Sequence, residues 1–280
     1  MRIHVCGARG STPAPGADFA RYGGHTCCLA LASGESGTPD LVLDAGTGVR
    51  AVTGLLDRQP FDGTVLLTHL HWDHIQGLPF FGGGDREDSR VSVLLPDQGD
   101  GVEAERVLAG EMSPPFFPIE PGELRGRWEF GTVPADGWQI GGYTILAREV
   151  PHKGGRTLGF RISDGSGTLA YIPDHCPTAL GDGPDGLGEY HQAVLELAEG
   201  ADVLVHDAHL HGTEELARDG FLGHACAEYA AALGRRAGAR TVLLFHHSPE
   251  RTDRQLDELG RRLRASGEVR PATQGEVISL

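Results

Sequence analysis

Thr64-Val65-Leu66-Leu67-Thr68-His69-Leu70-His71-Trp72-Asp73-His74-Ile75-Gln76-Gly77-Leu78 is the stretch whose reading decides the fold of this 280-residue chain. Residues 65–67 form an apolar run of strand character that stops at Thr68. Four side chains able to bind first-row metals follow within six residues: His69, His71, Asp73 and His74. Crowded this closely, they do not all reach one ion without strain. They fit better if His69 and His71 hold one ion while Asp73 and His74 turn toward a second.

The arrangement recurs further along. An apolar strand ends and a ligand-type residue stands just beyond it: Val150 before His152, Ile172 before Asp174, Phe245 before His246. Loops at strand ends converge on one sheet edge, where α/β folds place their sites. The candidate metal ligands are therefore His69, His71, Asp73, His74, His152, Asp174 and His246. Imidazole and carboxylate without thiolate suit two divalent ions, with zinc expected and manganese or iron as alternatives. His175, His206, His209, His211 and His247 stand nearby; of these, His175 and His247 read as supporting or surface residues rather than ligands. Asp44, after an apolar run at 41–43, either orients a histidine ligand or caps a helix expected over 49–58. Cys27 and Cys28 read as small core residues on a strand.

This H-x-H-x-D-H signature and the residues that follow it resemble the metallo-β-lactamase-fold hydrolases over most of the chain. The resemblance implies an α/β protein with a four-layer αββα sandwich, two mixed sheets packed together with helices outside. It assigns His69, His71, His152 and Asp174 to one ion and Asp73, His74, Asp174 and His246 to the other, with Asp174 bridging. Two ions about 3.5–4 Å apart hold an activated hydroxide and clamp a tetrahedral phosphate for in-line attack. Asp73 would orient the hydroxide. A second block, Val203-Leu204-Val205-His206-Asp207-Ala208 with Gly223-His224-Ala225, resembles the ribonuclease Z-like branch. There an acid–histidine pair serves phosphodiester cleavage, which carries Asp207 and His224 over as a catalytic pair. The chain departs from that pattern at His209, where the branch usually has Thr. The alternative for His224 is a cap on the helix that follows.

Composition narrows the rest. Alternating strands and short helices without a compositional break make residues 1–280 one domain. A net charge of −15 argues against long nucleic acid as partner. It leaves room for a small anionic substrate, because bound dications reverse the local field. Five scattered cysteines without a C-x-x-C pair indicate a reduced compartment, and no apolar segment reads as a signal or a membrane span. The expectation is a cytoplasmic protein, either a monomer or a homodimer. Arg21, Tyr22, Phe116 and Phe117 are placed either on a pocket wall or in ordinary surface and core positions.

The expected activity is that of a binuclear metal-dependent hydrolase, a phosphodiesterase acting on a small cyclic or short single-stranded phosphodiester. No long basic or Gly-Pro arm suited to gripping a tRNA interrupts the chain. The alternatives are hydrolysis of a non-phosphate ester, thioester, lactone or β-lactam, and a non-catalytic metal-binding sensor.

Overall fold

The computed structural model describes residues 1–34, 37–99 and 101–280, which form two seven-stranded sheets laid face to face. The first sheet takes β1 (Arg2–Gly7), β2 (Cys28–Ala32), β3 (Leu41–Leu43), β4 (Asp62–Leu66), β5 (Arg90–Leu95) and β6 (Arg127–Thr132). The second takes β7 (Trp138–Ile140), β8 (Tyr143–Glu149), β9 (Leu158–Ser163), β10 (Thr168–Ile172), β11 (Val203–Asp207), β12 (Thr241–Phe245) and β13 (Val269–Pro271). β14 (Val277–Ser279) returns to the first sheet, antiparallel to β1. The strand orders are β14-β1-β2-β3-β4-β5-β6 and β13-β12-β11-β10-β9-β8-β7.

Side-chain alternation builds the layers. Val203 and Val205 of β11, with Leu243 and Phe245 of β12, face the opposite sheet. Leu204, Val242 and Leu244 point the other way, beneath α4 (Gln192–Ala198), α6 (Ala227–Ala237) and α7 (Asp253–Leu263). On the first sheet Leu66 faces inward, while Val65 and Leu67 meet α1 (Val49–Leu55) and α3 (Ala104–Ala109). Strands covered on both faces read as unbroken apolar runs, which is why this sequence shows them. Each large side chain buried in the central layer contributes about 1.5–3 kcal/mol. The four-layer αββα sandwich implied by the sequence is the architecture observed.

Topology then fixes where the site lies. β10, β11 and β12 are mutually parallel, and β8 reaches β10 through two antiparallel steps, so it runs the same way. Their C-terminal ends share one edge, and the residues there are His152, Asp174, Asp207 and His246. Several element bounds differ from expectation. The helix expected over 49–58 ends at Leu55, and the one expected from His224 begins at Ala227. β7, β13 and α5 (Gly212–Asp219) were not anticipated. The two strands have three residues each, too few to show a period, and α5 buries only Leu216.

Candidate metal centre

β4 ends at Leu66 and the chain runs extended to α2 (Trp72–Ile75), a single helical turn. His69 and His71 sit before the turn; Asp73 and His74 sit on it. They meet Asp174, from beyond β10, whose two oxygens face in different directions. Oδ1 lies 3.1 Å from Nε2 of His74 and 3.3 Å from Nε2 of His246. Oδ2 lies 3.4 Å from Nε2 of His152 and 3.7 Å from Nε2 of His69. One carboxylate thus joins two groups. In the first, ligand-type atoms of His69, His71, His152 and Asp174 lie within 4.8 Å of one another; in the second, those of Cys27, His74, Asp174 and His246 do. Asp73 stands beside the second group, its Oδ2 3.0 Å from Nε2 of His246 and 3.5 Å from Nε2 of His74. That same oxygen accepts the backbone N–H of Ser11 at 2.6 Å.

The imidazoles are held by their far nitrogens. Nδ1 of His74 donates to Oδ2 of Asp44 at 2.8 Å, and Nδ1 of His152 donates to the Gly223 carbonyl at 2.7 Å. The Thr68 hydroxyl lies 3.0 Å from both Asp44 oxygens and donates there, so it accepts from Nδ1 of His69 at 3.1 Å. Each contact fixes the tautomer with the Nε2 lone pair aimed inward, that of His152 lying 3.3 Å from Nδ1 of His71. Asp44 also receives the Tyr171 hydroxyl at 2.9 Å from the opposite sheet. It therefore orients a histidine, as one of the two sequence readings held; α1 has Gly48 at its N-cap without a side-chain bond. Asp44 and His246 hold left-handed backbone, φ 57° and 56°, uncommon for non-glycine residues and typical of functional sites.

Among the described residues, Nε2 of His69, Nε2 of His74 and Oδ1 of Asp174 have no hydrogen-bond partner although all three are buried. The 3.1 Å approach of the last two lacks hydrogen-bond alignment. An unsatisfied buried polar atom costs about 1–3 kcal/mol. Three such atoms where the two groups adjoin, two of them bare nitrogens, fit cations that accept their lone pairs. Burial pushes the Asp174 carboxyl up, but the neighbouring His246, His74 and His69 outweigh it and hold the group well below the usual range.

Asp207 lies at the end of β11, next to the two groups. Its Oδ2 accepts from Nδ1 of His224 at 3.0 Å and from the His175 backbone N–H at 3.0 Å; its Oδ1 accepts the His209 N–H at 3.0 Å. Nδ1 of His224 is also 3.8 Å from Oδ2 of Asp174. Burial opposes charge on His224, yet Asp207 prevails and its pKa is pushed up to about 9. His224 lies outside α6, whose N-cap is Cys226, so it is not a helix cap.

All seven candidate ligands, with Asp207 and His224, come to this one edge. The sequence reading placed Cys27 in the core and missed that its thiol also borders the second group. His175 and His247, read as supporting or surface residues, are fully buried. His175 touches His206 at 3.1 Å and His191 at 2.9 Å, beneath the helices of the second sheet. Arg21 and Tyr22 do not line the centre: Arg21 pairs with Asp257 of α7 at 2.6 Å and Tyr22 donates to it at 3.1 Å. Phe116 and Phe117 do line a cleft, of about 380 Å³, with Trp72 and Phe80. Among the described residues, no helix is long and apolar enough to cross a membrane.

Residues 40–247 match the family model described as a beta-lactamase superfamily domain. A ribonuclease Z from Salinibacter ruber is 26% identical over 229 residues, covering 68% of this chain and 69% of that protein. A ribonuclease BN from Escherichia coli is 34% identical over 249 residues, covering 75% of this chain and 77% of that protein. The crystal structure of YhfI, a metallo-beta-lactamase fold protein from Bacillus subtilis, superposes with a TM-score of 0.70 at 21% identity, covering 99% of this chain and 98% of that one. The strand-end histidines and carboxylates, the sandwich that gathers them and the match across most of the chain lead to one assignment: this protein belongs to the metallo-β-lactamase superfamily of hydrolases.

Proposed function

We propose that the protein is a phosphodiesterase working with two divalent ions, zinc first among them, on a small cyclic or short single-stranded phosphodiester. The observation that carries the choice of bond is the Asp207–His224 pair, set against Asp174 at the edge of both ligand groups. The relatives named as ribonucleases support it. His69, His71, His152 and Oδ2 of Asp174 would hold one ion; His74, His246, Asp73 and Oδ1 of Asp174 would hold the other. When bound, such a pair lowers the pKa of water and acts as a Lewis acid on a phosphoryl oxygen.

The chain's own residues do the remainder. Asp73, anchored by the Ser11 N–H, accepts a hydrogen from the attacking water and sets its direction. Asp207 keeps Nδ1 of His224 as a donor, which leaves Nε2 to meet the substrate. From there His224 donates to the departing oxygen or to a non-bridging phosphoryl oxygen. A cleft of about 500 Å³, room for a nucleotide-sized ligand, opens beside Ser11 and His209; its arginines Arg218 and Arg251 are paired with Asp219 and Glu215.

Metal-loaded protein should cleave bis(p-nitrophenyl) phosphate or a cyclic nucleotide. His224→Ala should lower that turnover by about 100–10,000-fold with metal content unchanged. A protein that binds its ions, ignores phosphodiesters and opens a lactone or thioester would refute the proposal. That outcome is the second reading. Its support is the apolar cleft next to α2, where Trp72, Phe80 and Phe116 are 68%, 59% and 77% exposed and suit an apolar acyl group.

A further inference from the structure

We propose that Cys27 is a ligand of the more buried cation position, making it a mixed sulfur, nitrogen and oxygen site of Cys27, His74, Asp174 and His246. This rests on the metal-binding reading above and goes beyond it by putting a thiolate in the place given there to Asp73, which is left to orient the water.

The geometry supplies the argument. Sγ of Cys27, a ring nitrogen each of His74 and His246, and an oxygen of Asp174 all lie within 4.8 Å of one another. Four donors at such spacing surround one tetrahedral ion. All four residues are buried to at least 99%. Nε2 of His74 and Oδ1 of Asp174 lack hydrogen-bond partners, so two bare polar atoms point to the same place as the thiol. Asp73 is less free than its place in the motif suggests. Its Oδ2 already accepts the Ser11 N–H at 2.6 Å, and it is not among the four mutually close atoms. The thiol's own contact is weak, 3.3 Å to the Arg9 carbonyl.

Strand geometry explains why this cysteine and not its neighbour reaches the spot. Successive residues of a strand point to opposite faces. Cys27, the residue just ahead of β2, keeps the same alternation and shares the inward face with Leu29 and Leu31, whereas Cys28 turns to the outer face with Ala30. The other cysteines join no such group among the described residues. Ligand softness then divides the two positions. Three imidazoles and a carboxylate tolerate manganese or iron, but a thiolate selects zinc or cobalt. Binding would release the thiol proton to solvent, and the thiolate of Cys27 would then hold the ion.

Cobalt(II) titration into the metal-free full-length protein tests this without relying on activity. One of two equivalents should raise a near-ultraviolet thiolate-to-cobalt charge-transfer band. Cys27→Ser should lose that band, keep the visible bands of the remaining ion, and bind the affected ion at least 10–100-fold more weakly, the scale set by losing even an outer partner of a ligand. Cys28→Ser should keep the band. A wild-type protein that binds two cobalt ions without the band, or a Cys27→Ser protein that retains it, would overturn the assignment while leaving the two-ion reading intact. Failure of the wild type to bind cobalt at all would overturn both.

Discussion

The two ligand groups share Asp174 and differ in almost everything else. The group of His69, His71, His152 and Asp174 opens at His71, which is only partly buried, while the His152 ring is 1% exposed. The group of Cys27, His74, Asp174 and His246 is sealed. Their supports differ as well. In the open group the far nitrogens of His69 and His152 rest on neutral oxygens, a threonine hydroxyl and a glycine carbonyl. In the sealed group His74 rests on the Asp44 carboxylate. A carboxylate support makes an imidazole the stronger donor. On the two-ion proposal, the contrast means that the sealed position would retain its ion and the open one would meet substrate.

Asp174→Ala should have the largest effect, because it removes the one group common to both positions. Metal analysis should fall from two ions per chain toward none, and turnover should drop by at least about 1,000-fold, the scale of losing a central catalytic group. Loss of one ion with the other held firmly would break the idea of a shared carboxylate.

Asp44→Asn comes next and sharpens the comparison. It removes the charge directly behind His74, reaches His69 only through the Thr68 hydroxyl, and leaves the support of His152 untouched. Affinity for one ion should weaken about 10–100-fold while the other is retained, read by competition with a chelator. Equal weakening of both would mean that the supports do not distinguish the positions.

The smallest effect separates ligand histidines from histidines that are merely buried. His247 donates from Nε2 to the Ala272 carbonyl at 3.0 Å, and burial pulls its pKa down to about 3. The unfolded chain takes up that proton near the ordinary value of 6.5. Between those limits the unfolded state binds more protons, so stability falls as pH drops from about 6.5 toward 3. The slope is about 1 kcal/mol per pH unit for one such group. His247→Gln should reduce the slope equally with and without metal, measured by urea denaturation between pH 7 and 5. A reduction seen only in loaded protein would place His247 among the metal's own contacts.

Much of this centre is readable in the sequence because its candidate ligands lie just past apolar strands, of which β10 and β12 are covered on both faces. His152, Asp174 and His246 are found that way, and the 69–74 cluster by its spacing alone. Asp207 is legible for the same reason: it follows Val203 and Val205 on one face of β11, while His206 shares the other face with Leu204 and goes under the helices. Cys27 is not legible, since a thiol in an apolar strand is indistinguishable from a small hydrophobe until the opposite sheet is in place. The one signal is phase, for Cys27 has the same parity as the inward Leu29 and Leu31. The partners of Arg21 and Tyr22 are hidden too, because Asp257 lies more than 230 positions away.

The phenol of Tyr171 crosses from one sheet to grip the carboxylate that steadies a histidine of the other. Any slippage between the halves of the sandwich must first break or drag that link. Warming, crowding by an ill-fitting side chain, or a cut in either half would thus loosen the ion's cage before the strands themselves come apart, and leakage of metal would be the earliest sign of damage to the protein.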